Sequence, residues 1–264
     1  GKLSAGDQKK IIADLTAKIA DPANSNRAVD IKALEHFKAV QSVQTQELQA
    51  ELQNQMALIA NTGDASLALM TQDQIDAATV GNPVLNEKLT KTLDVAKLLV
   101  NALKKLPHTD SNGVAAVRKE LEKLVADSSV TSAAAQARDA FNVAVQKQAA
   151  AIEEDAVGFV FQSNPDLRDK LDTWYEGRPT GSVENDPRFK PALFAEYVTG
   201  LKTKFKELGI APPNQAFLSD HIAKVLANRL NESNPGDIGV ATQSVVDSLG
   251  KYAAPVFAQL RADG

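Results

Sequence analysis

The sequence predicts an all-α protein, an elongated arm of long antiparallel helices joined to a compact helical lobe. Three observations carry that prediction. Apolar residues recur at helical spacing from end to end, and no stretch alternates as a strand would. Proline, glycine and Asn-Pro steps fall where helices need to start or stop. The thirteen aromatics are unevenly spread: residues 1–150 hold only Phe37 and Phe141, whereas 159–217 hold nine. Aromatic rings fill thick cores, while thin helix pairs pack on Leu, Val and Ala. The expected division is therefore an arm over 1–163 and a lobe over 164–264, the lobe sharing the end of the second long helix.

Taken in order, Ser4 and Asp7 suit a capping box for a helix ending near Ala20, broken by Asp21-Pro22. A long helix follows from about Asp30 to Asn61. Its stripe is Ile31, Leu34, Phe37, Leu48, Leu52, Met56 and Ile59, with polar Gln41 and Thr45 on the same face. It would span roughly 48 Å at 1.5 Å per residue. A short helix from Thr71 ends at Gly81. Asn82-Pro83 starts the next, because proline at the first helical position gives up no needed N–H. Val114, Val117, Leu121 and Leu124 mark another. A second long helix is expected from Ser132 to Ser163, and its ten alanines between Val130 and Val157 invite close approach by a neighbour.

Asn164-Pro165 opens a helix to about Glu176, and a loop covers Gly177 to Lys190. Pro191 opens a helix with Phe194, Tyr197, Leu201 and Phe205, closed by Gly209. Pro212-Pro213 precedes a helix carrying Leu218, Ile222, Val225 and Leu230. The last helix begins near Asp237 and is expected to kink or break at Pro255. No repeat of fixed period is present, which argues against a solenoid.

The 264 residues carry 29 basic and 33 acidic side chains, a net charge of −4, and 44% are hydrophobic. A chain of this length can bury roughly 75% of its unfolded surface. The charge balance gives nucleic acid no bulk attraction. Without cysteine there are no disulfides, thiolate zinc sites or cysteine nucleophiles, which fits a reducing compartment or export through a secretion machine. No window approaches 18 apolar residues, so no membrane-spanning helix is expected. The opening Gly1-Lys2-Leu3-Ser4 lacks a starting Met, and the expectation is a piece of a longer protein.

Catalytic signals are weak. His36, His108 and His221 have no second histidine at ligand spacing. Gly250-Lys251-Tyr252 lacks the upstream glycine and the hydroxyl of a phosphate loop. Asp166, Asp169, Asp172 and Glu176 share a flank, but Arg168 and Lys170 lie among them, so the reading is a solvated face. Arg178, within Gly177 to Gly181, is the residue a helical enzyme or GTPase regulator would use, against the plainer reading of a surface turn. The expectation is no enzyme, no cofactor and no metal.

Contact surfaces are more promising. Arg188, Lys190, Lys202, Lys204 and Lys206 face only Glu196 and Glu207 in that stretch, a basic ridge suited to an acidic partner, against the plainer reading of a solvated face with favourable charge near a helix C-terminus. Arg188, Lys190, Lys202 and Lys206 are its candidate partner-binding residues. A second apolar stripe on the first long helix, Val29, Val40, Val43 and Leu58, would stay partly in water unless a symmetry mate, or the short helices at 5–20 and 72–80, covered it. Val40, Val43 and Leu58 are the candidate dimer contacts.

The long helices at 30–61 and 132–163, the Ala/Gln/Val-rich cysteine-free composition and the size resemble, in architecture, the helical C-terminal domain of secreted Vibrio actin-nucleating effectors. That resemblance implies a dimeric scaffold binding and organising host actin, working in the host cytoplasm after secretion from a bacterium. It carries no signature motif. Leu103-Lys104-Lys105-Leu106 is the nearest match to the end of a monomer-binding repeat, and it sits late in a longer helix. No family residue is carried across.

Overall fold

The computed structural model describes residues 3–176, 191–211, 216–231 and 238–262, and all regular structure among them is helical. The protein is all-α. Its chain divides into two compact units, one of residues 1–106 with 115–144, the other of 107–114 with 145–264. The division falls inside the second long helix.

The first unit opens with α1 (Ala5–Ala20) and α2 (Arg27–Thr62). Ser4 caps α1 by accepting the Asp7 N–H at 3.1 Å, while its own hydroxyl donates to the Asp7 carboxylate at 2.7 Å. Only half of a capping box therefore forms. The long α2 ends on Gly63, whose positive φ of 69° suits a residue without Cβ. Next comes α3 (Gln72–Ala78), capped by a complete Thr71/Gln74 box, and α4 (Pro83–Lys105), capped by Asn82. After a 3₁₀ turn at Leu106–His108 come α5 (Ser111–Val125) and the start of α6 (Thr131–Ser163).

The core of this unit is aliphatic: Leu52, Met70, Ile75, Leu89 and Leu93 are all buried together. The polar residues in the α2 stripe now have a purpose. The Gln41 amide donates to the Val80 carbonyl at 3.2 Å and to the Gln8 side chain at 3.0 Å. Thr45 donates to the Ala78 carbonyl. These are carbonyls at and just past the end of α3, which an apolar neighbour would leave unsatisfied.

In the second unit, the end of α6 packs with α7 (Pro165–Glu176), α8 (Pro191–Leu208), α9 (Asp220–Asn231), α10 (Ile238–Leu249) and α11 (Ala253–Ala262). Phe194 is fully buried, with ring centroids 4.7 Å from Trp174, 5.7 Å from Tyr197 and 5.9 Å from Tyr252. Two polar tips in this core reach carbonyls. Trp174 donates to Ser248 at 3.2 Å and Tyr197 to Phe217 at 2.8 Å.

Three sequence expectations need correction. The second long helix is not straight: Asp155 leaves helical geometry at φ −146°, ψ 88°. Its carboxylate accepts the Gly158 N–H at 2.8 Å and the Asp220 N–H at 3.3 Å, so one side chain serves the restarted helix and the start of α9. Leu218 lies before α9 rather than within it, buried in the core. The break in the last helix falls at Gly250, where φ is +54°, and not at Pro255. Pro255 is the third residue of α11, where a missing N–H costs no helical hydrogen bond.

Candidate functional site

The helix α8 turns Phe194, Tyr197, Val198, Leu201 and Phe205 inward, which leaves Lys202 and Lys206 outward, one turn apart. Both are exposed. Lys202 does not float freely. Its ammonium lies 5.5 Å from the Phe217 ring centroid and 5.6 Å from that of Tyr252. Lys251 stands 5.2 Å from the same Tyr252 ring. The Phe217 and Tyr252 rings are themselves in contact, centroids 5.8 Å apart.

The result is an aromatic platform of two half-buried rings that positions two ammonium groups. Each cation over a ring face gains about 0.5–1 kcal/mol at an exposed site. That gain orders the lysine without neutralising it. Among the described residues no carboxylate pairs with Lys202, Lys206 or Lys251, whereas Lys204 is bound to Glu207 at 2.7 Å and Lys170 is bound to Glu196. The acids within and beside the ridge are thus already engaged, and three lysines remain uncompensated on a chain of net charge −4.

Of the four predicted ridge residues, Lys202 and Lys206 come together on one face, while Arg188 and Lys190 lie outside the described residues, as does Arg178. Phe217, Lys251 and Tyr252 were missed. In sequence Lys251 reads only as part of an incomplete phosphate loop; in the fold it follows Gly250, whose φ is +54° and which packs against Pro191 at the start of α8. A Gly-Lys-Tyr step after a helix with punctuated ends was the available signal.

The predicted contact stripe on α2 is a separate surface. Val29, Val40, Val43 and Leu58 are 65%, 43%, 54% and 48% exposed. Val40 and Leu58 are in line because 18 residues complete about five helical turns. Neither α1 nor α3, which both pack on α2, covers them.

The remaining candidates have ordinary surroundings. The three histidines are exposed. On α7, Asp172 meets Arg168 at 3.6 Å, and Asp166 and Asp169 are exposed. No group of metal-ligating side chains gathers among the described residues, and no helix there is long and apolar enough to cross a membrane. Compared with protein-family models, curated proteins and solved structures, the chain matches none.

Proposed function

We propose that this protein is an interaction scaffold whose second unit docks an acidic protein partner through Lys202, Lys206 and Lys251. The observation that carries the reading is an ammonium group held over Phe217 and Tyr252 with no carboxylate among the described residues to neutralise it. Uncompensated, ordered cations favour fast and selective encounter with an acidic surface. Actin, in the cytoplasm of a host cell reached by secretion, is the partner that the architectural resemblance suggests. Self-association through Val40, Val43 and Leu58 would give the scaffold two docking faces.

Co-sedimentation with actin filaments, and the rate of filament assembly from monomers, test the partner. Reversing Lys202 and Lys206 to Glu is expected to weaken binding at least tenfold. The melting temperature should stay within the shift expected of about 0.5 kcal/mol for surface changes. Equal binding by the reversed variant at moderate salt would sink the ridge. Light scattering tests self-association: the expected mass is twice that of one chain, returning to one chain in Val40→Glu with Val43→Glu while helical circular dichroism persists. A doubly charged variant that remains dimeric would move the interface off α2.

A further inference from the structure

A cleft of about 490 Å³ opens in the first unit between α2, α4 and the turn leading into α6. Its size lies in the range of sites that take small organic ligands. The deepest lining residues are Leu52, Met56, Leu89 and Val130, all buried. Around them stand the amides of Gln49, Gln53 and Gln136 and the hydroxyls of Ser128 and Ser132, none of which bonds to another side chain or carbonyl among the described residues. Lys88 is the only charged residue in the lining.

The charge asymmetry has a structural cause. Asp127 is the acid next to this lining, and it is turned to other partners. Its carboxylate accepts the Ser129 N–H at 2.9 Å and the Ser129 hydroxyl at 2.6 Å, and it pairs with Lys91 at 3.3 Å. Lys91 also holds Glu87 at 3.0 Å. Both nearby acids are therefore spent on Lys91, one turn from Lys88, and Lys88 has no ion pair among the described residues. An apolar floor, amide and hydroxyl walls and one unmatched ammonium define a complementary ligand.

We infer that this cleft binds an apolar group bearing a single carboxylate beside an amide, the chemistry shared by an N-acylated apolar amino acid and by the C-terminal residue of a polypeptide. The side chain would meet Leu52, Met56 and Leu89, the amide would pair with the glutamines, and the carboxylate would pair with Lys88. This site is independent of the lysine ridge of the second unit.

The probes are N-acetyl-leucine, N-acetyl-leucinamide and a hexapeptide ending in leucine, titrated into isotope-labelled protein by NMR. N-acetyl-leucine or the hexapeptide should shift the amide resonances of Gln53, Lys88 and Ser132. Replacing the carboxylate by an amide, or Lys88→Gln, should each weaken binding about tenfold or more, the size expected from one charge-assisted hydrogen bond. Lys88 is exposed, so its variant should melt as the parent does. Ala57→Phe, which fills the cleft from α2, should abolish binding of all three probes. A hexapeptide binding at least tenfold tighter than the free acid would identify a polypeptide terminus as the source, and equal affinities a small acid. Affinity unchanged in Lys88→Gln, shifts confined to residues away from the cleft, or no binding by either acid would overturn the assignment.

Discussion

The two units are built from the same element and hold their helices in register by different means. In the first, the core is mostly aliphatic, with Phe141 a lone buried ring, and aliphatic shapes fit many helix registers about equally well. Register there is fixed by polar side chains: Gln41 and Thr45 bind the carbonyls at the end of α3, and the Asp76 carboxylate accepts from Asn86 at 2.9 Å and Gln72 at 2.8 Å. Those amides hold the Asp76 carboxyl below its usual range. In the second unit, rings of fixed shape do the work, and Trp174, Tyr197 and Gln259 add hydrogen bonds to carbonyls. Aliphatic cores supply burial but little directionality, so thin helices need buried amides, whereas aromatic cores supply both.

The largest effects should come from breaking each device at its centre. Phe194→Ala removes a ring that touches Trp174, Tyr197 and Tyr252, and should cost about 3–5 kcal/mol in denaturant unfolding. It should also disorder Tyr252 and so weaken the lysine ridge. Gln41→Leu in the first unit keeps the volume but strands the Val80 carbonyl and Gln8, for about 1–3 kcal/mol. If the leucine variant proves as stable as the parent, register in the first unit does not depend on Gln41.

Much of the fold was legible, because helix caps are local. Thr71, Asn82, Pro165, Pro191 and Gly209 all mark ends that the chain uses. Asp155 was not legible. The apolar stripe Ile152, Ala156, Phe159 continues through it, and the N–H that it accepts from Asp220 lies 65 residues away in the chain. Nothing local announces a carboxylate recruited by a distant helix. The site divides the same way. Lys202 and Lys206 were visible as neighbours on one helix, whereas their companions Phe217, Lys251 and Tyr252 come from two other segments and meet only through tertiary packing.

The smallest effect should come from a polar device at the surface of the first unit, Asp127 at the turn between α5 and α6. The Ser129 hydroxyl and N–H, and then Lys91, hold its carboxyl down to about 2. An unfolded chain would titrate the same group near 3.9. Because the folded value is the lower one, the ionised carboxylate stabilises the fold above pH 4, and that contribution is lost as pH falls from about 4 to 2. Asp127→Asn keeps an oxygen for Ser129 but carries no charge to titrate. It should melt slightly below the parent at neutral pH, and the two melting curves should converge as the pH approaches 2. Every other carboxylate is common to both proteins, so their difference isolates Asp127. Salt should shrink the part owed to Lys91, since both partners are more than a third exposed, and leave the Ser129 part in place. A difference that stays constant from pH 7 to 2 would mean that the variant acts through the shape of the turn, and that the charge on Asp127 contributes nothing to fastening that turn to Lys91 of α4.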